Sequence, residues 1–491
     1  MFEFAELGNK ISRQEFDERE PELHAGLLAV QRKLRDANFS VVVIVSGVEG
    51  AGKGSVVSLL HKWMDPRGLT TAAFWDETDE ERQRPRYWRF WRAMPPKGEI
   101  GIMFGSWYTQ PIVDYALKHA KRSEFDQALE RVRHFEDTLV DDGTLIIKLW
   151  FHLSKKAQQK HLAKEAKEKN IAVSPFTKAY ARSYDRFALV SERALRKTDV
   201  RHAPWHIIDA SNARYRDMKT GEIVLERVTQ RMSEGVIASG RKGVSAASLH
   251  KADEPAVLST VPLDLKFDEI RYKTRLKKYQ RELYQLAWKA HQRHIDTVAV
   301  FEGWDAAGKG GIIRRVTQAL DARLYRVISI AAPTDEEKAQ HYLWRFWRHI
   351  PRDGYHTFYD RSWYGRVLVE RVEGFAQPQE WQRAYQEINS FEEQLVEHGT
   401  LVLKFWIHID PDEQLRRFRE RETVEWKRHK ITDEDWRNRE RWADYELAVS
   451  DMMSRTSTEI APWSLIPGND KRYARIEVIK MFVERLEQAL S

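Results

Sequence analysis

The stretch FEGWDAAGKGG, residues 301–311, decides how the chain is read. Gly303, Gly308 and Lys309 keep the G-x-x-x-x-G-K spacing of a phosphate-binding loop. The next position should hold a Ser or Thr whose hydroxyl meets magnesium, and Gly310 stands there instead. The loop follows an apolar run and precedes the amphipathic segment GGIIRRVTQAL, the strand-to-helix setting such a loop requires. There the backbone N–H groups of Ala306, Ala307, Gly308 and Gly310 approach phosphate oxygens. The following helix turns its positive end to the anion, and Lys309 reaches the outer phosphates.

Working outward, the same pattern recurs upstream. GVEGAGKG at 47–54 matches GWDAAGKG at 303–310, WRFWR occurs at 88–92 and 344–348, and GTLIIKLWFH at 143–152 matches GTLVLKFWIH at 399–408. These pairs share an offset of 256 residues, and APW recurs at 203–205 and 461–463 with an offset of 258. A period of that length means two copies of one domain. The expected boundaries are 1–232 and 265–491, with a Gly-, Ser- and Ala-rich linker at 233–264.

Within the second copy the strand candidates are DTVAVFEG, LYRVISIAA, YHTFYDRS, TLVLKFWIH and WSLIPG, separated by helical patterns. Apolar strands alternating with helices predict an α/β fold, a parallel sheet covered on both faces, with ligands beyond the C-terminal strand ends. The 491 residues carry 81 Lys and Arg against 74 Asp and Glu, a balance that favours a polyanionic partner. Without cysteine, disulfides and thiolate metal sites are excluded. No apolar run is long enough to span a bilayer, and MFEFAELGNK carries acids where a leader needs a basic then apolar stretch. The cytoplasm is the expected location.

With no hydroxyl at Gly310, magnesium must be held by carboxylates. Asp305 lies inside the loop and Asp360 ends the strand HTFYD. Arg361 and Arg366 follow as candidates for the charge of a transferring phosphoryl group, the alternative being ion pairs with Glu370 or Glu373. A basic stretch, RRFRERETVEWKRHK at 416–430, sits where nucleotide kinases carry a closing lid. The Trp and Phe of WRFWR and SWY read as core, and His408 as structural.

GWDAAGKGG, FYDRSWYGR, ERVEGF, WADYELAV and APWSLIPGNDKR together resemble the polyphosphate kinase 2 family, and the duplicated layout resembles its two-domain, AMP-phosphorylating members. The resemblance implies two tandem P-loop kinase-like domains with a helical lid. It also implies inorganic polyphosphate, AMP or ADP and Mg2+ as partners, and phosphoryl transfer as the reaction. Family roles fall on Asp305, Lys309, Asp360 and Arg361, and on a basic lid that includes Arg421 and Lys427. No membrane or nucleic-acid partner is expected, and self-association is left open.

The first copy departs from the pattern. Glu49 stands for Asp305, while Phe104 and Gly105 stand for Asp360 and Arg361. The expectation is a degenerate domain that supports or feeds a single active copy, in which Lys53 and its loop still hold an anion. The competing readings are a polyphosphate-dependent kinase of nucleoside diphosphates, an ATP-dependent nucleotide kinase, and a nucleic-acid-binding P-loop switch. The last lacks any stacking or groove-reading motif.

Overall fold

The computed structural model describes residues 1–169, 182–235, 257–425 and 431–491. They form two compact units. The first holds β1 (Val41–Gly47), β2 (Leu69–Ala73), β3 (Ile100–Phe104), β4 (Leu145–His152) and β5 (Trp205–Asp209), ordered β2-β3-β1-β4-β5. The second holds β6 (Thr297–Gly303), β7 (Tyr325–Ser329), β8 (His356–Asp360), β9 (Leu401–His408) and β10 (Trp463–Pro467), ordered β7-β8-β6-β9-β10. Every pairing in both sheets is parallel. The registers also repeat, with Val41 opposite Ile100 in one sheet and Thr297 opposite His356 in the other. The expected α/β architecture is what the chain adopts.

The central strands explain the burial. VVVIV of β1 and TVAVFE of β6 are inaccessible along their length, as β-branched runs covered on both faces should be. Phe301 stacks on Phe405 at 5.2 Å, and Phe358 stacks on Phe482 of the C-terminal helix at 5.8 Å. Among the described residues no helix is long and apolar enough to cross a membrane.

Each unit encloses the same polar cluster. In the second, Lys404 Nζ donates to Glu392 at 2.7 Å, to the Tyr364 hydroxyl at 2.9 Å and to the Thr456 carbonyl at 2.6 Å. Trp363 Nε1 and the Tyr364 hydroxyl both donate to the other oxygen of Glu392. In the first, Lys148, Glu136, Tyr108, Trp107 and Thr198 repeat these bonds. The Trp and Tyr of SWY therefore belong to the core, where they complete a satisfied ion pair. Burial pushes the Lys404 pKa down, and Glu392 opposes that shift. Removing either partner would leave an uncompensated charge costing about 3–5 kcal/mol.

Candidate active site

The loop after β6 is shaped by backbone constraints that its residues meet at uneven cost. Gly303 has φ +146°, and a Cβ there would lie 2.4 Å from the Ile407 carbonyl, so glycine is required. Ala306 adopts φ +61°, a left-handed conformation disfavoured for a residue with a Cβ. Gly308, at φ +108°, then caps the helix Lys309–Thr317. Lys309 Nζ donates to the carbonyls of Gly303 at 2.6 Å and Trp304 at 3.2 Å, tying the helix start to the strand end.

Arg417 braces the loop from the helix Pro411–Thr423. Its guanidinium donates to the carbonyls of Ala306 (3.0 Å), Ala307 (2.8 Å), Gly468 (2.7 Å) and Asn469 (3.0 Å), with Glu413 as counter-ion. Fixing these carbonyls on one side leaves the N–H side of the loop for an anion.

Beyond the loop opens a cavity of about 820 Å³. Asp305, Lys309, Asp360, Arg361 and Arg421 all line it, as do Ala306, Ala307, Gly308 and Gly310. Eight Lys and Arg side chains face it against five Asp and Glu, so its charge suits a polyanion. A Cβ added at Gly310 would stand 3.6 Å from Asp360 Oδ2. The Asp360 carboxylate therefore faces the spot a loop hydroxyl would otherwise fill.

Asp305 is gripped on both oxygens. Arg361 Nη2 donates to Oδ1 at 3.0 Å and Asn438 Nδ2 to Oδ2 at 2.9 Å, while Gln414 Nε2 reaches the Asp305 carbonyl at 3.2 Å. Arg361 itself sits at φ +63°. Burial works against its charge, but Asp305, Glu302, Glu434 and Asp360 outweigh that and raise its pKa. A non-glycine residue held there costs on the order of 1–3 kcal/mol and persists where the surrounding structure over-determines it.

One expectation needs correction. Arg366 is not among the residues lining the cavity: its Nη1 pairs with Glu370 at 3.2 Å and its guanidinium covers the Tyr342 ring at 4.5 Å. It follows the ion-pair alternative because its chain segment turns into the 3₁₀ helix Trp363–Val367, which carries it away from the strand end. The basic side chains of 416–430 divide in role. Arg416 pairs with Glu413 and Arg417 is a buried brace, whereas Arg421 faces the cavity. Lys427 lies outside the described residues.

Other residues at the site carried weaker sequence signals. Glu302 is a buried acid at the end of β6, accepting from Ser362 Oγ at 2.8 Å. Burial pushes its carboxyl up, against the charges of Lys309 and Arg361. Ser46 occupies its place in β1, so an acid in one of two apolar strands was the available clue. Lys471 and Arg475 reach the cavity from the start of the helix Lys471–Leu490, and Asn438 from the helix Asp433–Glu440. His408, as expected, is structural. It accepts from Trp304 Nε1 at 3.0 Å, and burial lowers its pKa to about 4.

The first loop has the same outline and different contents. Lys53 Nζ pairs with Glu49 at 2.7 Å, and Gly105 replaces the strained Arg361. Arg216 enters from the helix Ala213–Glu234, its Nη1 donating to the Ala51 carbonyl at 3.2 Å. A Cβ at Gly52 would fall 1.8 Å from that Nη1, so Arg216 packs tightly against the carbonyl side of the loop, the side Arg417 braces in the second copy.

The family model for polyphosphate kinase 2 matches residues 10–235 and again 266–491. The chain belongs to the polyphosphate kinase 2 family. It is 47% identical over 492 residues to a polyphosphate:AMP phosphotransferase of Pseudomonas aeruginosa strain PAO1, covering 100% of this chain and 99% of that one. A polyphosphate:AMP phosphotransferase of Acinetobacter johnsonii is 38% identical, covering 91% of each. A crystal structure of a polyphosphate kinase 2 from Pseudomonas aeruginosa PA01 superposes with a TM-score of 0.89 at 46% identity, covering 100% of this chain and 99% of that one. The polyphosphate kinase 2 match thus falls twice on this chain, once per sheet.

Proposed function

We propose that the chain transfers a phosphoryl group from inorganic polyphosphate to AMP, giving ADP, at the loop of the second copy. The observation that carries the reading is the meeting, in one basic cavity, of the loop, the Asp360 carboxylate opposite Gly310, and Arg361 held at a strained φ. The full-length likeness to polyphosphate:AMP phosphotransferases supports it.

Asp305 and Asp360 fit magnesium. Among the described residues no group of three or more His, Cys, Asp or Glu could hold a metal by itself. Magnesium needs only one or two carboxylates, since waters and substrate phosphates complete its shell. When bound, it supplies neutralisation of phosphate charge. The loop N–H groups and Lys309 seat phosphate oxygens. Arg361 and Arg421 face the equatorial oxygens as charge spreads in the transition state. The anhydride P–O bond to the terminal phosphoryl group breaks, a P–O bond to an AMP phosphate oxygen forms, and the shortened polyphosphate leaves with the bridging oxygen. Positioning and charge suffice without a covalent enzyme intermediate.

The test is ADP formation by purified protein supplied with AMP and magnesium, and with either polyphosphate or ATP. ADP formed with polyphosphate alone as donor supports the reading; formation only with ATP refutes it.

A further inference from the structure

We infer that Asn438 is a positioning residue for the transfer: from outside the loop it fixes the direction of the Asp305 carboxylate. This rests on reading the second copy as the phosphotransferase site. Asp305 follows Trp304 in a loop whose main chain is tightly held, but its side chain needs partners of its own. Arg361 takes Oδ1 at 3.0 Å, and a single contact would let the carboxylate swing about that bond. Asn438 Nδ2 takes Oδ2 at 2.9 Å and removes that freedom.

The amide has one satisfied orientation. The Asp305 carboxylate can only accept and so takes Nδ2, while Tyr445 donates its hydroxyl to Asn438 Oδ1 at 3.1 Å. Burial raises the Tyr445 pKa, so the hydroxyl keeps its proton. The helix bearing Asn438 is pegged on both sides. Arg437 Nε donates to Glu373 at 2.9 Å, and Arg439 Nη1 to the Pro411 carbonyl at 2.7 Å.

The residue type matters. A neutral amide orients a carboxylate without cancelling its charge, whereas a second cation beside Arg361 would compete with a bound metal for the same oxygens. Asn438 therefore sets geometry while leaving the anion available.

The experiment compares wild type with Asn438→Ala, Asn438→Gln and Asn438→Asp. The readouts are kcat, the KM values for AMP and polyphosphate, the magnesium activation midpoint, and the magnesium-dependent rise in Tm with AMP present. For Asn438→Ala the magnesium midpoint should rise about 10-fold in both activity and Tm titrations, the scale for losing a partner of a metal ligand. The polyphosphate KM should stay within about twofold, with an unchanged magnesium-free Tm. Asn438→Gln should recover part of the loss, and Asn438→Asp should be worse than Ala because it sets a carboxylate against Asp305. An active wild type with an unchanged magnesium midpoint in Asn438→Ala would overturn the role of Asn438 alone. A wild type that makes no ADP from polyphosphate would overturn both this role and the functional reading.

Discussion

Lys53 Nζ sits 2.7 Å from Glu49 Oε1. Both lysines donate to two loop carbonyls, Lys53 to Gly47 and Val48 and Lys309 to Gly303 and Trp304, but Asp305, in the place of Glu49, is held by Arg361 and Asn438. One lysine is already neutralised by its own loop; the other adds its charge to the cavity. Lys309→Ala should therefore nearly abolish transfer and Lys53→Ala should leave most of it, measured as kcat for ADP formation. Equal losses in the two variants would refute a single active copy.

Asp360→Asn tests the carboxylate that faces Gly310. It removes one charge at the end of β8 without altering side-chain volume, so folding should be unaffected. The expected loss in kcat is about 10²–10⁴-fold, the range for deleting one charge-stabilising group. A folded Asp360→Asn protein with near wild-type turnover would remove this residue from the mechanism.

Arg421 lines a cavity in which basic side chains outnumber acidic ones. Polyphosphate binding should weaken with salt through release of its counter-ions, as for nucleic-acid backbones. Arg421→Ala should raise the polyphosphate KM and reduce the slope of log KM against log salt by about 1. A polyphosphate KM indifferent to salt in the wild type would show that the cavity charge does not carry the binding.

Most of this arrangement was legible because it depends on local rules. Alternating apolar runs fixed the parallel sheets, and the glycines and Lys309 marked the loop. Asp360 could be read because a strand end dictates where its side chain goes. What escaped depends on distant elements meeting. Arg417 read as one of many charges in a basic run, yet its partners Ala306 and Gly468 come from other segments. The first copy lacks that arginine, having His161 there. His161 Nδ1 contacts the Gly50 carbonyl and Arg216 reaches Ala51, so two side chains from separate helices take over one brace. Arg366 failed for the converse reason: spacing places it near the strand end, but the 3₁₀ turn after Ser362 sends it to Glu370.

Asp296 gives the last prediction. It is buried just before β6, and burial pushes its carboxyl up to about 7, with the nearby Thr400 hydroxyl pulling the other way. The first copy has Ser40 at this place, whose hydroxyl meets Thr144 at 3.1 Å. An unfolded Asp releases its proton near pH 3.9. Between that pH and about 7 the folded chain keeps a proton that the unfolded chain has lost, so unfolding releases it and stability falls as pH rises. Above about 7 both states are ionised and the cost levels off. Asp296→Ser removes this titration and copies the first unit. Its stability relative to wild type should therefore improve from pH 4 to pH 8, by at most about 4 kcal/mol. Unfolding midpoints of both proteins across that range provide the measurement. A difference between them that does not change with pH would show that Asp296 is ionised in the folded chain throughout.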